Sequence, residues 1–570
     1  MFLEFFVISD LENVKFMKLR IQSWHLRNLV PDCHNSEYIA SRDKRISYIS
    51  GFTGSNATIV ITANKALLWT DGRYFDQAEN QLSSEWTLMR DRNPGVLPID
   101  QWLAEHFKSD EQVGYDPSLL TIAENTMFSK AGVHMKAISP NLVDVIWDAD
   151  ECDKRPEYND ENIFMLNLEH AGQSIEEKLK ILRTHLHDEN EILLVTALDE
   201  VAWLFNLRGN DIPYNPVFFS FAMVSLKCAH VYLVKKKLPQ EVEDKLVAAG
   251  VKVENYNEFW SSLKDIPSSK ILLSSTACVL IQNILGADKC KLLAVSPIAK
   301  LKAVKNEVEQ QGMKQAHIKD AVAVCEFIFE VSKYPNKYDE LTAENFRTIS
   351  AYGANASVIH YGASDETNRP LGSCSFYLLD SGGQYLQGTT DITRTMHFGH
   401  LALADAVFPT NISANRLDTI ARKPLWDFGK DYGHGTGHGV GCFLNVHEGP
   451  FSISYRIVSE EGLDHGSVVS NEPGYYETGR FGIRIENLLL CQRSKVFPGF
   501  LCFEPLTLVP ISKNSIDKDM LTRKEIESLN TYHRQVYDTI VPEMQKQGKS
   551  KELIDWLENQ TKPISVKTEK

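Results

Sequence analysis

A carboxylate set inside an apolar strand is expensive to bury unless a cation or another partner meets it, and this chain carries several. Asp380 follows the run Phe376-Tyr377-Leu378-Leu379. Glu472 follows Val468-Val469, and Glu486 lies between Ile485 and Leu488-Leu489-Leu490. Any fold open to this chain has to give these charges partners. Asp391 comes eleven residues after Asp380, across Gly382, Gly383 and Gly388. That spacing lets one hairpin carry both carboxylates to one point. For either Asp alone a turn or a strand-end cap is the plainer reading. For either Glu it is an ion pair, with Arg484 at hand.

The stretch 432–441 holds five glycines in ten residues, together with His434 and His438. Glycine allows close backbone approach and unusual φ values. A linker rarely holds two histidines, and the Lys-Ser/Thr ending of a phosphate-binding loop is missing, so the stretch reads as a metal or catalytic loop. His447, in Asn445-Val446-His447-Glu448-Gly449-Pro450, adds a third histidine that alone would read as structural. Asp380, Asp391, His438, Glu472 and Glu486 together make a hard, oxygen-rich ligand set. It suits Mn²⁺, with Zn²⁺ or Co²⁺ less specific options, and it is too rich in carboxylate for one structural zinc. Four negative charges call for more than one dication. Two of them about 3.5–4 Å apart supply a nucleophilic water at neutral pH.

The 570 residues are 43% hydrophobic and 24% charged, an ordinary globular composition that excludes a collagen-like or wholly disordered chain. At roughly 150 residues per domain the length predicts about three or four domains. Sixty basic against seventy-five acidic residues leave a net charge of −15. With no long Lys/Arg run, this argues against nucleic-acid or anionic-membrane partners. The ten cysteines are scattered without a CxxC pair and read as mostly buried free thiols in a reducing compartment. The start, 1–8, is apolar but broken by Glu4 and lacks a basic leader region. No stretch approaches the ~20 apolar residues of a membrane span. A cytoplasmic protein is expected.

Two similar units follow one another. The first, from about Ser36, predicts strands at 57–62 and 66–70 and a helix carrying Phe75, Ala78 and Leu82. The second predicts strands at 192–197, 217–226 and 230–234, an apolar stretch 202–207 ending at Arg208, and a helix over 240–248. The shared order suggests an internal duplication. A polar linker is expected over 147–162. After Pro297, Leu301, Val304 and Val308 on one face, and then Ala321, Val324 and Ile328, predict a strong amphipathic helix. The tail 551–570 reads as frayed and polar.

The order Asp, Asp, His, Glu, Glu resembles that of the pita-bread metallopeptidases. Longer motifs narrow the likeness: VIHY at 358–361, LLDSGGQY at 378–385, GTTDITRTMHFG at 388–399, GHGTGHGVG at 433–441, NVHEGP at 445–450, NEPGYY at 471–476, GIRIEN at 482–487 and FEPLTLVPI at 503–511. These, with SEYIA, GFTGS, WTDGRYF, TALDEVAWLFNLRG and NPVFFS, resemble the cytosolic Xaa-Pro aminopeptidases from about Ser36 to the end. The resemblance implies an α/β (α+β) fold with two creatinase-N-like α/β domains, 1–150 and 160–298, ahead of a pita-bread catalytic domain, 299–570. It implies two divalent metal ions, Mn²⁺ foremost. Asp380 would chelate one, His438 and Glu472 the other, and Asp391 and Glu486 would bridge. His360, His434 and His447 would face the substrate. Peptides with proline second would lose their first residue, and the chain would form a homodimer. Two segments, 333–349 and the join at Gly399-His400, are shorter than the family pattern, while every ligand position is kept. The alternatives are an inactive or misfolding isoform, a non-catalytic pita-bread protein, or a prolidase-type dipeptidase, whose relatives generally have one N-terminal domain.

Overall fold

The computed structural model describes residues 25–29, 32–62, 64–107, 111–266, 270–333, 348–362, 367, 375–395, 399–456, 459–513 and 516–565. Most of the shortened segment 333–349, the start 1–8 and Cys374 lie outside them. The chain divides into two compact units: Met1–Asn159 with Trp260–Ser269 and Leu273–Leu292, and Asp160–Phe259 with Lys270–Leu272 and Leu293–Lys570.

The first unit is built on a sheet in the order Trp86–Arg90, Ala66–Thr70, Ala57–Ile61, His25–Leu29, Val113–Tyr115, Met135–Ala137. The expected hairpin is present, with Ala57 opposite Thr70. Its inward residues Ile59 and Leu68 meet Phe52, Tyr74 and Ala78. The strand His25–Leu29 lies ahead of the point where the sequence shows a pattern. Five residues with two leucines are too short for a period to register.

In the second unit Glu191–Val195 takes the place of that strand. Ser220–Val224 is antiparallel to it, Ala229–Leu233 antiparallel to Ser220–Val224, and Val251–Asn255 parallel beyond. Lys270–Ser274 runs parallel on the other side. The same directions relate the first five strands of the first sheet, so the duplication extends to topology.

The amphipathic run after Pro297 is two helices, Pro297–Ala303 and Glu307–Lys333, rather than one. Asn306 ends the first: its side chain accepts from the amides of Val308 and Glu309, and Glu309 accepts from the Asn306 amide. This reciprocal cap starts a new helix and leaves Val304 and Val308 exposed instead of on a buried face. Ala321 and Val324 are buried as expected, against Leu529, Val536 and Ile540 of the helix Arg523–Lys546. The tail is not frayed through 561. Ser550 caps the helix Lys551–Thr561, which buries Leu553 and Leu557 in the same core. Each such leucine contributes roughly 1.5–3 kcal/mol.

Two sheets frame the region that carries the candidate ligands. One holds Ile349–Tyr352, Tyr377–Ser381 and Ile392–Arg394. The other is six-stranded, in the order Val407–Pro409, Phe500–Pro505, Asn487–Arg493, Val468–Asn471, Gly437–Gly439, Glu448–Ile453. The shortened stretch after Gly399 forms a helix of six residues, Gly399–Ala404. It does not leave the sheet bare. Leu403, Ala406 and Phe408 pack with Val469, Leu489 and Leu501. His400 Nδ1 donates to Asn471 O at 3.0 Å while Asn471 Nδ2 donates to His400 O at 2.8 Å. Among the described residues no helix is long and apolar enough to cross a membrane. Among the described residues nine cysteines are free and four of them are buried, so these thiols are not mostly buried.

Candidate metal centre

Asp380 and Asp391 come together as the hairpin spacing predicts. Asp380 sits on the strand Tyr377–Ser381 opposite Thr393, and Asp391 directly precedes the partner strand. The turn between them is braced by Gly383 N, which donates to Thr390 Oγ1 at 2.9 Å, and by Tyr385 Oη, which donates to Asp320 at 3.0 Å.

His438 enters from the strand Gly437–Gly439. Its neighbours must be glycine for reasons of space: a Cβ on Gly437 would meet Ser470 O at 2.0 Å, and one on Gly439 would meet Glu448 O at 2.3 Å. Neither has a positive φ, so close approach, and not unusual φ, accounts for the Gly-His-Gly pattern. Gly433 has open space where its Cβ would be. Glu472 follows Val468–Asn471, its amide held by Thr436 O at 2.8 Å. Glu486 joins the strands Phe481–Arg484 and Asn487–Arg493.

One ligand atom each from Asp391, His438 and Glu486 lie within 4.8 Å of one another. His438 Nε2 is 3.3 Å from Glu472 Oε1 and 3.8 Å from Asp391 Oδ2. Its Nδ1 faces Gly439 O at 2.9 Å, which assigns the proton to Nδ1 and turns Nε2 toward the carboxylates. Arg484 pairs with Asp380 rather than with either Glu, and also donates to Thr393 Oγ1 at 3.1 Å. Thr393 Oγ1 in turn donates to Glu486 Oε2 at 2.9 Å.

One oxygen each of Asp380, Asp391 and Glu486 is buried with no hydrogen-bond partner. Such orphans are rare in folded proteins and cost about 1–3 kcal/mol or more apiece. The electrostatics agree. Burial, then Glu472 and Asp380, push Glu486 up to about 8. Burial, then Glu486, Asp380 and Glu472, raise Asp391 well above its ordinary value. Burial alone would lower His438, but the Glu472 carboxylate holds it up at about 9. Without a cation this cluster retains protons to offset its own repulsion. The orphaned oxygens and inward Nε2 fit divalent cations, which would take the place of those protons.

Two of the other histidines, His434 and His447, lie beside this cluster. The His447 ring stands 4.3 Å from that of His438, edge-on. His434 Nδ1 faces Gly435 O at 2.7 Å, and its Nε2 faces Tyr476 Oη at 2.9 Å. Arg484 Nη1 donates to that same hydroxyl at 2.6 Å. Burial lowers His434 to about 4, so the ring is neutral and exchanges its Tyr476 bond if it is to meet a substrate. His360 is half-buried in the turn after Gly353–Ser357, which packs on the hairpin that carries Tyr476 and Arg484. Sequence reasoning did not select Thr393 and Tyr476. The signal available for Thr393 was its place two residues after Asp391, on the same strand face, as Arg484 stands two before Glu486.

Residues 298–493 match the pattern of metallopeptidase family M24, and 499–564 match the C-terminal region of that family. Residues 26–145 and 154–309 each match a creatinase/prolidase N-terminal domain. The chain is 40% identical to Xaa-Pro aminopeptidase ApepP of Drosophila melanogaster over 94% of each chain. It is 37% identical to Xaa-Pro aminopeptidase 1 of Dictyostelium discoideum, over 94% of this chain and 93% of that one. Among solved structures, the X-prolyl aminopeptidase of Caenorhabditis elegans, described as a cytosolic enzyme with a di-nuclear active site, matches with a TM-score of 0.89 at 35% identity over 95% of both chains.

Proposed function

The chain belongs to metallopeptidase family M24, among its Xaa-Pro aminopeptidases, and we propose that it removes the first residue from peptides whose second residue is proline. The observation that carries the metal-dependent chemistry is the group of Asp391, His438 and Glu486, whose ligand atoms lie within 4.8 Å of one another, with an orphaned buried oxygen on each of Asp391, Glu486 and Asp380. Asp380, Asp391, His438, Glu472 and Glu486 would hold two divalent cations, with Asp391 and Glu486 shared between them. Mn²⁺ is the proposed metal because the donors are mostly hard oxygens. Bound cations supply Lewis-acid polarisation of the scissile carbonyl and a nucleophilic water at neutral pH.

The chain's own residues prepare the site. Arg484 pairs with Asp380 and offsets part of the upward push that burial gives its carboxyl, and through Thr393 it fixes the direction of Glu486. The Nδ1 bond to Gly439 O holds the His438 ring so that Nε2 stays available. His447, beside His438, is placed to donate to charge developing on the scissile carbonyl. His360 and His434 would orient the peptide. An amide nitrogen that belongs to proline has no hydrogen and a rigid ring, so a site for this bond has to grip the chain by its end and its carbonyls.

The division into 1–150, 160–298 and 299–570 is part of the same reading, supported by two separate N-terminal-domain matches before the M24 match. Two such domains favour the aminopeptidase over a prolidase-type dipeptidase. A homodimer and a cytoplasmic location complete the proposal, the latter supported by the description of the Caenorhabditis enzyme. Product analysis on a dipeptide Xaa-Pro, a tripeptide Xaa-Pro-Xaa and a tripeptide with alanine second tests it. Release of only the first residue, with the proline tripeptide preferred at least about 100-fold over the alanine one, is the expected result; a grip on the proline ring and the missing N–H can supply that factor. Cleavage confined to the dipeptide would establish the dipeptidase instead.

A further inference from the structure

His447 is held from both sides by groups outside the metal centre. On its N-terminal side, the Arg208 guanidinium, only 2% exposed, donates from Nε to Phe443 O at 2.6 Å and from Nη2 to Cys442 O at 3.2 Å. Its Nη1 donates to Ala202 O at 3.1 Å and to Leu207 O at 2.9 Å. All four acceptors are neutral carbonyls, a costly way to bury a cation. Phe443 sits at φ 49°. A side chain in that left-handed region costs about 1–3 kcal/mol and persists only where its surroundings over-determine it. Leu444 is then pinned by Gln384 Nε2, which donates to its carbonyl at 2.7 Å, and by Thr389 Oγ1, which accepts from its amide at 3.3 Å.

On the C-terminal side, Glu448 is buried between Lys305 Nζ at 2.5 Å and Lys302 Nζ at 2.8 Å. Lys302 also meets Asp199 at 2.7 Å. Both anchors of the loop therefore lead back to 198–208, within the residues that match the second creatinase/prolidase N-terminal domain. The sequence marks this segment by its apolar run ending at Arg208, a feature the peptidase chemistry does not otherwise use.

We propose that Arg208 is a positioning residue for the reaction: by holding the carbonyls of Cys442 and Phe443 it sets the backbone that aims His447 at the substrate. The second N-terminal domain thereby contributes to turnover without touching the peptide. This rests on the reading of His447 as substrate-facing.

A double-mutant cycle on the full metal-loaded chain tests it, with kcat and KM measured on an Xaa-Pro tripeptide and metal content measured alongside. Arg208→Lys keeps the charge but cannot reach all four carbonyls. It is expected to lower kcat by roughly 10–100-fold, the cost of a small misplacement of a working group, at unchanged metal content. In the His447→Ala background the same substitution is expected to change kcat by less than about twofold. An equal loss in both backgrounds, or a loss of metal, overturns the inference while leaving the proposed function standing. Full activity of His447→Ala overturns the reading of His447 itself and the inference with it. If Arg208→Lys does not fold, Arg208→Gln, which still donates to a carbonyl, runs the same cycle, with the same outcomes deciding it.

Discussion

The variant Asp391→Asn is expected to lose at least about 10³-fold in activity, more than the loss of a single oxyanion donor costs, and to bind at most one metal ion per chain. Asp391 is buried, one of its oxygens has no partner, and the other faces His438 at 3.8 Å. Asparagine keeps the shape and removes the negative charge, so a second cation loses its shared ligand. The metal-free protein should not suffer. Asp391 is pushed toward its neutral form by burial and by Glu486 and Asp380, and a neutral amide relieves that repulsion. The melting temperature of the metal-free variant should therefore equal or exceed that of the parent. Metal content, kcat and a thermal melt check this together. Unchanged binding of two ions would remove Asp391 from its proposed role.

The variant His447→Ala is expected to keep both metal ions and to lose about 10²–10³-fold in kcat, the usual cost of one donor to developing charge. The two losses separate because the roles differ. The His447 ring lies edge-on to His438 at 4.3 Å, close enough to share the substrate's space, whereas Asp391 and the four other residues of the proposed set would hold the cations. Steady-state kinetics with metal analysis distinguish them. Full activity would make His447 a structural residue, which is how an isolated histidine in that sequence context reads.

The candidate ligands stand out in the sequence more readily than the residues that support them. Asp380, Glu472 and Glu486 were visible because charge beside or inside apolar runs is abnormal, and Asp391 through its eleven-residue gap from Asp380, which lets one hairpin carry both. His438 was visible through its glycines, although the reason proved to be the approach of Ser470 O and Glu448 O. The relay from Arg484 through Thr393 to Glu486 was not legible, since Thr393 and Arg484 stand far apart along the chain and meet only when the hairpin ending at Arg484 packs against the strand Ile392–Arg394. Arg484 suggested an ion pair with a Glu because Glu486 was its near neighbour, yet the folded partner is Asp380. The break between the helices before residue 307 could have been read from Asn306 and Glu309, a capping pair outweighed by the apolar spacing around it. The helix Lys551–Thr561 was missed because Leu553 and Leu557 are the only fully buried apolar residues on it. The departures after Gly399 pointed to a damaged scaffold, but the short helix there still covers Val469 and Leu489.

The most direct test of a two-cation peptidase site is a titration of the chelated, metal-free chain with Mn²⁺ while following release of the first residue from an Xaa-Pro tripeptide. Activity absent at the start and rising until two equivalents per chain are bound is the predicted result. Release that survives chelation, or that reaches its plateau at one equivalent, would contradict it.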